Sequence, residues 1–248
     1  MNARTALVTG GASGIGEAVV RALRADGFTT VSLDLRAGAS ADVSVLGDVS
    51  EPQANASAVE AAIKATGQLD VVVANAGVHD GGLGLDEPPD ELLQRMRRVY
   101  DIDVIGYALA VQAALIPLRA ARGHVVLTLS DASFLVGQQG AGIAYTAAKH
   151  AGVGMVGWLA RELAPEVSVN AIAPGGVMTS LQAVDAGGSH RDVFDDPAAQ
   201  TSEIERGNPL QTVLTVDEVA AYYQWIVSDQ TRGLTGQIIR PDGGLSVN

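Results

Sequence analysis

Short β-branched runs alternate with longer helical stretches along most of this chain, and this alternation limits the possible folds more than any other feature. The first run, TALVT, is followed by a glycine-rich turn, a predicted helix from about Ile15 to Ala25, and the run TTVSLD. Further candidate strands are DVSVLGD, LDVVVAN, GHVVLTLS, VSVNAIA and GQIIR. Because parallel crossovers are right-handed in nearly all cases, the pattern predicts one α/β domain over residues 1–248. It is a Rossmann-like, doubly wound parallel sheet of about seven strands with helices on both faces.

The segment from Met178 to Pro209 departs from this pattern, because it is polar, acidic and broken by Gly and Pro. Loops of this length inside compact domains are commonly lids or binding loops, and disorder is the competing interpretation. We predict a substrate lid over residues 178–209. Leu181, Val184 and Val193 in such a lid suit a neutral apolar alcohol better than an anion.

The charge balance argues against several classes of partner. The 248 residues have a formal net charge of -12, which repels nucleic acid and anionic lipid. The chain has no cysteine, and its four histidines show no ligand spacing, so we expect no metal site. No stretch stays apolar for a membrane-spanning length, and the N-terminus has no cleavage signature, which favours a soluble, cytoplasmic protein.

A glycine-rich turn with the spacing G-x-x-x-G-x-G, formed by Gly10, Gly14 and Gly16, lies between the first strand and the first helix. Glycine permits close backbone approach, and a helix N-terminus attracts a pyrophosphate, although such turns also occur as plain connections. Asp34 ends the second strand, where dinucleotide-binding folds place an acid on the ribose hydroxyls. Its charge would repel a 2′-phosphate, so NAD is favoured over NADP, although Arg36 could soften the repulsion. The alternative is an Asp that only caps its own turn.

Tyr145 and Lys149, in the segment AYTAAKHAG, are four positions apart and therefore share one face of a helix. Tyrosine, with a pKa near ~10, is a poor base at neutral pH, but a nearby ammonium favours the phenolate. The pair predicts acid/base chemistry on an alcohol or a carbonyl group. Surface decoration is the alternative, but the small apolar residues around the pair favour a closely packed helix.

Six motifs occur in order over essentially the whole chain: TGGASGIG, DV at residues 48 and 49, ANAG, YTAAK, PGGVMTS and DGG. With them the chain resembles the short-chain dehydrogenase/reductase family. The resemblance implies that Tyr145 is the proton donor or acceptor, that Lys149 lowers its pKa and holds the nicotinamide ribose, and that a serine steadies the substrate oxygen. The cofactor-binding residues expected in this chain are Gly10, Ser13, Gly14, Ile15, Gly16, Asp34, Leu35, Asp48, Val49, Asn75, Ala76, Gly77, Tyr145, Lys149, Pro174, Gly175, Val177 and Thr179.

The catalytic serine must be chosen between two candidates. The family usually places it thirteen residues before the tyrosine, where this chain has Ala132. Ser130 follows the central strand, whose end opens onto the crevice that binds ligands in such sheets, so we predict Ser130. Ser133 is the alternative, with turn formation as its other interpretation.

Asp103 stands where the family usually has the Asn of an N-x-x-G segment, which helps carry a water-linked proton path to the lysine. Aspartate keeps an oxygen acceptor but loses the amide donor, and its charge would pair with Lys149. We expect Asp103 to be a catalytic relay residue; the alternative is an exposed helix acid.

Within the family, several segments look most like the bacterial dehydrogenases that oxidise aromatic cis-dihydrodiols. The resemblance implies that Tyr145 takes the hydroxyl proton while Ser130 and Asp131 hold the paired substrate oxygens, although Asn is usual after the serine in that subfamily. Other cyclic or steroid-like alcohols are the second possibility. A non-catalytic dinucleotide sensor is the third.

Two further expectations concern surfaces and loops. The apolar segments VIGYALAVQAALIPL and AAKHAGVGMVGWLA favour subunit contacts, and the resemblance implies a homotetramer. His79 and His190 could reach a substrate, but solvated loop positions are favoured for both.

Overall fold

The computed structural model describes residues 4–136, 140–184, 190–193 and 197–247. Its strands are β1 (Thr5–Thr9), β2 (Thr29–Asp34), β3 (Val43–Leu46), β4 (Val71–Ala74), β5 (His124–Thr128), β6 (Ser168–Ile172), β7 (Gln182–Val184), β8 (His190–Asp192) and β9 (Ile238–Ile239). Seven of them form one parallel sheet in the order β3-β2-β1-β4-β5-β6-β9. The predicted seven-stranded, doubly wound sheet is confirmed.

Eight α-helices surround the sheet in the described part of the chain. They are α1 (Gly14–Ala25), α2 (Pro52–Thr66), α3 (Pro89–Tyr100), α4 (Tyr107–Ala113), α5 (Leu115–Ala121), α6 (Ile143–Leu163), α7 (Pro197–Gly207) and α8 (Val216–Ile226). A π-helical stretch, Asp101–Gly106, joins α3 to α4. The first helix begins one residue earlier than predicted.

Two apolar cores lie on opposite faces of the sheet. Successive side chains of a strand point to opposite faces, so Leu7 of β1 packs with α2, α4 and α6, whereas Ala6 and Val8 pack with α1 and α8. The strands are buried on both faces, as expected for a parallel sheet. The helices therefore hold the carboxyl ends of the strands in fixed positions.

The order of the strands determines where a ligand can enter. The chain passes from β1 to β2 on one side and later adds β4 on the other side of β1, so the connections diverge between β1 and β4. In open α/β sheets, ligands bind in the crevice outside the carboxyl ends at such a point. Gly10, Asn75, Ser130 and Pro174 all follow strand ends at this edge.

The predicted lid contains regular structure where it is described. β7 and β8 form an antiparallel hairpin, and α7 follows it. The main chain of β7 is hydrogen-bonded to His79, whose N–H donates to the Gln182 carbonyl and whose carbonyl accepts from Val184. Residues 185–189 and 194–196 of the segment lie outside the described residues.

The described helices were compared with the length of a membrane span. No single one of them is both long and apolar enough to cross a bilayer. The bent pair Pro89–Ala113 and Leu115–Ala121 meets the criterion jointly, by length and composition only.

Candidate active site

A cavity of about 540 Å³ opens at the carboxyl ends of β1, β4, β5 and β6. Its wall includes every predicted catalytic, cofactor-binding and substrate residue except Gly16. Gly16 instead packs beneath the glycine turn, where an added Cβ would collide with the Gly10 carbonyl and the Asn75 amide. Gly16 therefore allows the helix to approach the strand, and it does not face the cavity.

The glycine turn leaves room for an anion at the start of α1. Gly10 and Gly14 have φ angles of +65° and +55°, which residues with a side chain rarely adopt. Ser13 precedes α1 and gives it no side-chain cap, so the N–H groups of the first turn remain available to a ligand. Thr179 faces the turn across the cavity, 3.5 Å from an ideal Cβ on Gly14. These features fit a pyrophosphate.

Asp34 both lines the cavity and caps a turn. Its Oδ2 accepts a hydrogen bond from the N–H of Ala12 at 3.0 Å, and its Oδ1 accepts one from the N–H of Arg36 at 3.1 Å. The two interpretations of this residue are therefore compatible. The carboxylate is fixed at the cavity wall beside the glycine turn.

Asp48 and Val49 line the same end of the cavity. Asp48 accepts hydrogen bonds from the N–H and hydroxyl of Ser50, and its Oδ2 lies 2.9 Å from a guanidinium nitrogen of Arg98. Partial burial raises the pKa of Asp48, but these hydrogen bonds and the Arg98 charge bring it below its usual value. Arg98 comes from α3, fifty residues away, and the sequence analysis did not identify it.

Asn75 connects the glycine turn to the central strand. Its side-chain amide donates to the carbonyls of Thr9 and Gly10, and its Oδ1 accepts from the Thr128 hydroxyl at 3.1 Å. Tyr223 contacts the same hydroxyl from α8 at 2.8 Å. This buried network keeps the turn in register with the end of β5.

Tyr145 and Lys149 lie together on the inner face of α6, and both are buried. The Lys149 ammonium nitrogen is 5.4 Å from the centre of the Tyr145 ring. It also contacts Asp103 Oδ2 at 2.9 Å, the Thr128 carbonyl at 3.2 Å and the Tyr107 hydroxyl at 3.3 Å. Surface decoration is therefore the wrong interpretation of this pair.

Asp103 is fully buried, so its alternative interpretation as an exposed helix acid is wrong. Its Oδ1 accepts a hydrogen bond from the N–H of Val78, and its Oδ2 forms the ion pair with Lys149. Burial raises the pKa of Asp103, an effect that Lys149 opposes. Burial alone would lower the pKa of Lys149, but Asp103, Tyr107 and Tyr145 raise it well above its usual value. Lys149 is therefore a cation.

Ser130 is the serine that the fold brings to Tyr145. Both side chains line the cavity, and Ser130 is among the groups that lower the pKa of Tyr145. Ser133 is buried, and its hydroxyl accepts from the N–H of Ser130 in the turn that begins at Ser130. The structure thus gives Ser133 the role of a turn former.

The pKa of Tyr145 is raised in this site. Burial is the largest cause, Asp103 adds to it, and Lys149 and the hydrogen bond with Ser130 oppose it. The effect of Lys149 has the direction expected from the sequence. It does not by itself outweigh burial.

Asp131, next to Ser130, is only 4% exposed. Its Oδ1 accepts hydrogen bonds from the Ser130 hydroxyl at 2.7 Å and from the N–H of Ala132 at 2.8 Å. Its Oδ2 is buried and has no hydrogen-bond partner among the described residues. Burial raises the pKa of this carboxyl group. A buried carboxylate oxygen at a cavity wall needs a donor, which a ligand can supply.

His79 is buried, so the solvated loop position expected for it is wrong. Its ring centre lies 4.6 Å from that of Tyr145, and its Nδ1 accepts from the N–H of Gly81. Its place two residues after ANAG, at the crevice edge of β4, is the signal that could have identified it. The side chain of His190 lies outside the described residues.

The lid adds apolar surface to the cavity. Leu181 and Val193 are part of the wall, together with Gln182. Val184 is buried in the hairpin. These residues belong to the segment predicted to be a lid, residues 178–209.

Comparison with known proteins identifies the family. A family model described as enoyl-(acyl carrier protein) reductase matches residues 10–246. The chain belongs to the short-chain dehydrogenase/reductase family. It is accordingly an oxidoreductase, and the resemblance stated from the sequence is confirmed.

Several relatives of this short-chain dehydrogenase/reductase are similar over nearly their whole length. The chain is 36% identical to a 1,2-dihydroxy-1,2-dihydronaphthalene dehydrogenase of Ralstonia sp, with 97% of this chain and 96% of that protein covered. It is 38% identical to a cis-2,3-dihydrobiphenyl-2,3-diol dehydrogenase of Rhodococcus globerulus, with 97% and 89% covered. Among solved structures, the aldohexose dehydrogenase of Thermoplasma acidophilum is similar with a TM-score of 0.86 and 26% identity, over 100% of this chain and 95% of that one.

Proposed function

We propose that this chain is an NAD-dependent dehydrogenase that oxidises one alcohol of a cyclic cis-dihydrodiol to a ketone. The observation that carries the proposal is Asp131, which lines the cavity next to Ser130 and whose buried Oδ2 has no hydrogen-bond partner among the described residues. A single alcohol bound to Tyr145 and Ser130 leaves this oxygen unsatisfied. A second hydroxyl on the neighbouring carbon would donate to it. The names of the relatives point to the same substrate class.

Tyr145 acts as the base in this reaction. Its hydroxyl oxygen takes the proton of the reacting alcohol, and Ser130, whose hydroxyl donates to Asp131 Oδ1 in the structure, would turn to donate to the alcohol oxygen. Lys149 favours the ionised phenol because its charge opposes the effect of burial. The same ammonium would hold the nicotinamide ribose.

Bound NAD would supply the acceptor for the hydride that leaves the carbinol carbon, and its positive charge would favour the phenolate of Tyr145. The preference for NAD over NADP rests on Asp34, whose carboxylate is fixed at the wall by two backbone N–H groups. A 2′-phosphate would meet this negative charge. The residues that would hold the cofactor are those of the glycine turn, of the loop after β4 and of the segment from Pro174 to Thr179.

Asp103 replaces the family asparagine as a relay residue in this proposal. The support is its ion pair with Lys149 and its position behind the phenol. The relay would be a proton path that ends on the charged carboxylate of Asp103. The pH dependence of turnover should therefore differ from that of a family member with asparagine at this position.

Three further parts of the proposal concern the surroundings of the site. Residues 178–209 would act as the substrate lid, supported by Leu181 and Val193 in the cavity wall. The chain would assemble as a homotetramer, supported by exposed Ile116 and Trp158 on the outer helices, at 82% and 65% exposure. The cytoplasmic localisation stays a prediction.

The test measures the absorbance of reduced nicotinamide while purified protein is offered a panel of alcohols with NAD or NADP. The panel contains a cis-dihydrodiol, its trans isomer, the matching ring with one hydroxyl, and a cyclic steroid alcohol. Turnover of the cis-diol at the highest kcat/KM supports the proposal. Preference for the single alcohol or the steroid would favour the second possibility, and cofactor binding without turnover of any compound would favour a sensor.

A further inference from the structure

The catalytic helix α6 begins without a side-chain cap of its own. Its N-cap position is Gly142, and a side chain cannot be accommodated there because an added Cβ would collide with the backbone of Leu83. The first N–H groups of a helix have no intrahelical partner and need acceptors from elsewhere. Tyr145 belongs to this first turn, so its position depends on what supplies them.

The acceptors come from a loop more than sixty residues earlier in the chain. Asp80 Oδ1 accepts from the N–H of Gly142 at 2.9 Å, and Asp80 Oδ2 accepts from the N–H of Tyr145 at 2.9 Å. The carbonyl of Leu83 accepts from the N–H of Ile143 at 2.9 Å. A negatively charged group at a helix N-terminus is also favoured by the helix dipole.

Asp80 is itself held rigidly. It is fully buried, and its Oδ1 accepts a further hydrogen bond from the N–H of Gly82. The Arg95 guanidinium donates to the Asp80 carbonyl, and Arg95 is paired with Glu91 on α3. Asp80 therefore connects to α3 through its main-chain carbonyl, and its carboxylate connects the loop after β4 to the start of α6. It does not line the cavity.

From these contacts we infer that Asp80 is a positioning residue for Tyr145, acting from outside the cavity by fixing the backbone of the first turn of α6. The inference rests on the proposed function, because it assigns the hydroxyl of Tyr145 to proton transfer. Small displacements of a reacting group reduce turnover strongly while leaving remote cofactor contacts intact. Loss of Asp80 should therefore lower kcat and spare the binding of the dinucleotide.

The experiment uses the full chain with the substitution Asp80→Asn, which keeps the size of the side chain and places an amide where an acceptor is needed. The matched control is Thr215→Ala, since Thr215 caps α8, away from the site, with its own capping box. The readouts are kcat with the best alcohol of the panel and the dissociation constant of NADH measured by fluorescence. Asp80→Ser, which keeps one oxygen acceptor, is measured in the same way if the first variant does not fold.

We expect kcat of Asp80→Asn to fall about 10- to 100-fold while the NADH dissociation constant stays within about twofold, and Thr215→Ala to keep its kcat. An unchanged kcat overturns the inference. An equal fall in kcat for Thr215→Ala also overturns the inference, and so does a parallel weakening of NADH binding by Asp80→Asn. Either result would indicate that the substitution destabilises the fold in general. A wild-type chain that oxidises no alcohol refutes the proposed function as well, whereas an active wild type with an active Asp80→Asn refutes only the positioning role.

Discussion

Replacing Asp103 with Asn should move the pH profile of alcohol oxidation towards lower pH. The negative charge of Asp103 is among the causes that raise the pKa of Tyr145, so its removal lowers that pKa. Oxidation needs the unprotonated phenol as base, and its rate rises with pH through the pKa of Tyr145. A lower pKa therefore brings the rise at a lower pH.

The size of this shift follows from the geometry. Asp103 Oδ2 is 2.9 Å from the Lys149 nitrogen, and this nitrogen is 5.4 Å from the centre of the Tyr145 ring. The carboxylate thus lies no more than about 8 Å from the ring, and two charges at that distance interact by about 2 kcal/mol at an effective dielectric constant near 20. Since one pKa unit corresponds to about 1.4 kcal/mol, we expect a shift of about 1.5 units.

The assay is kcat/KM for the diol measured from about pH 6 to about pH 11, so that the range extends above the usual tyrosine pKa of ~10. Asp101→Asn is the matched control, because it removes the same charge from the same π-helical stretch without facing the cavity. The charge of Asp80 also raises the pKa of Asp103, and Asp80 is unchanged in both variants. A profile of Asp103→Asn that coincides with the wild type would refute both the coupling and the relay role.

Three other predictions concern the cofactor and substrate ends of the site. Asp34→Asn should raise the ratio of kcat/KM with NADP to kcat/KM with NAD by about tenfold, because a charge repulsion of order 1 kcal/mol is removed. Both values are measured by absorbance of the reduced cofactor. An unchanged ratio would contradict the role of the Asp34 charge. Asp131→Ala should lower kcat/KM for the cis-diol by about 10- to 100-fold more than for the single alcohol, because this factor corresponds to the loss of one hydrogen bond to a charged group. Equal losses of kcat/KM on both compounds would show that Asp131 does not bind the second hydroxyl. Asp131→Asn should raise the melting temperature at neutral pH. Burial raises the pKa of Asp131 in the folded protein, so ionisation of this carboxyl group lowers the free energy of unfolding as the pH rises above the pKa of Asp in the unfolded chain. The difference in melting temperature should vanish below about pH 4, where Asp131 is protonated in both the folded and the unfolded protein. A difference that is constant at all pH values would argue against a cost of ionising Asp131.

The sheet and the glycine turn could be predicted because their signals are local. Strand periodicity, the spacing of the glycines and the four-residue step from Tyr145 to Lys149 each lie within one or two elements. The choice of Ser130 over Ser133 also used a local argument, the end of a central strand. The structure has Ser130 in the cavity wall with Tyr145, whereas the Ser133 hydroxyl accepts a hydrogen bond within the turn.

The contacts that the sequence did not reveal join distant segments. Arg98 reaches Asp48 across fifty residues, and Asp80 reaches Tyr145 across sixty-five. No residue spacing encodes these contacts, because they depend on how α3 and the loop after β4 pack on α6. His79 was misjudged for the same reason: its burial follows from pairing with the lid strand β7.

The π-helical stretch brings two groups to Lys149. A π turn widens the helix, and here it contains Asp103 and ends just before Tyr107, both of which contact the ammonium. An ammonium has three N–H bonds, of which two donate to the Tyr107 hydroxyl and the Thr128 carbonyl, while Asp103 Oδ2 forms an ion pair with the ammonium at 2.9 Å. Lys149 is consequently fixed as a cation by the protein itself, and its charge acts on Tyr145 through space. Asp103 lies in this stretch and Tyr107 follows it directly, so the position of the Lys149 charge depends on the π-helical stretch as well as on α6, which carries Lys149 itself.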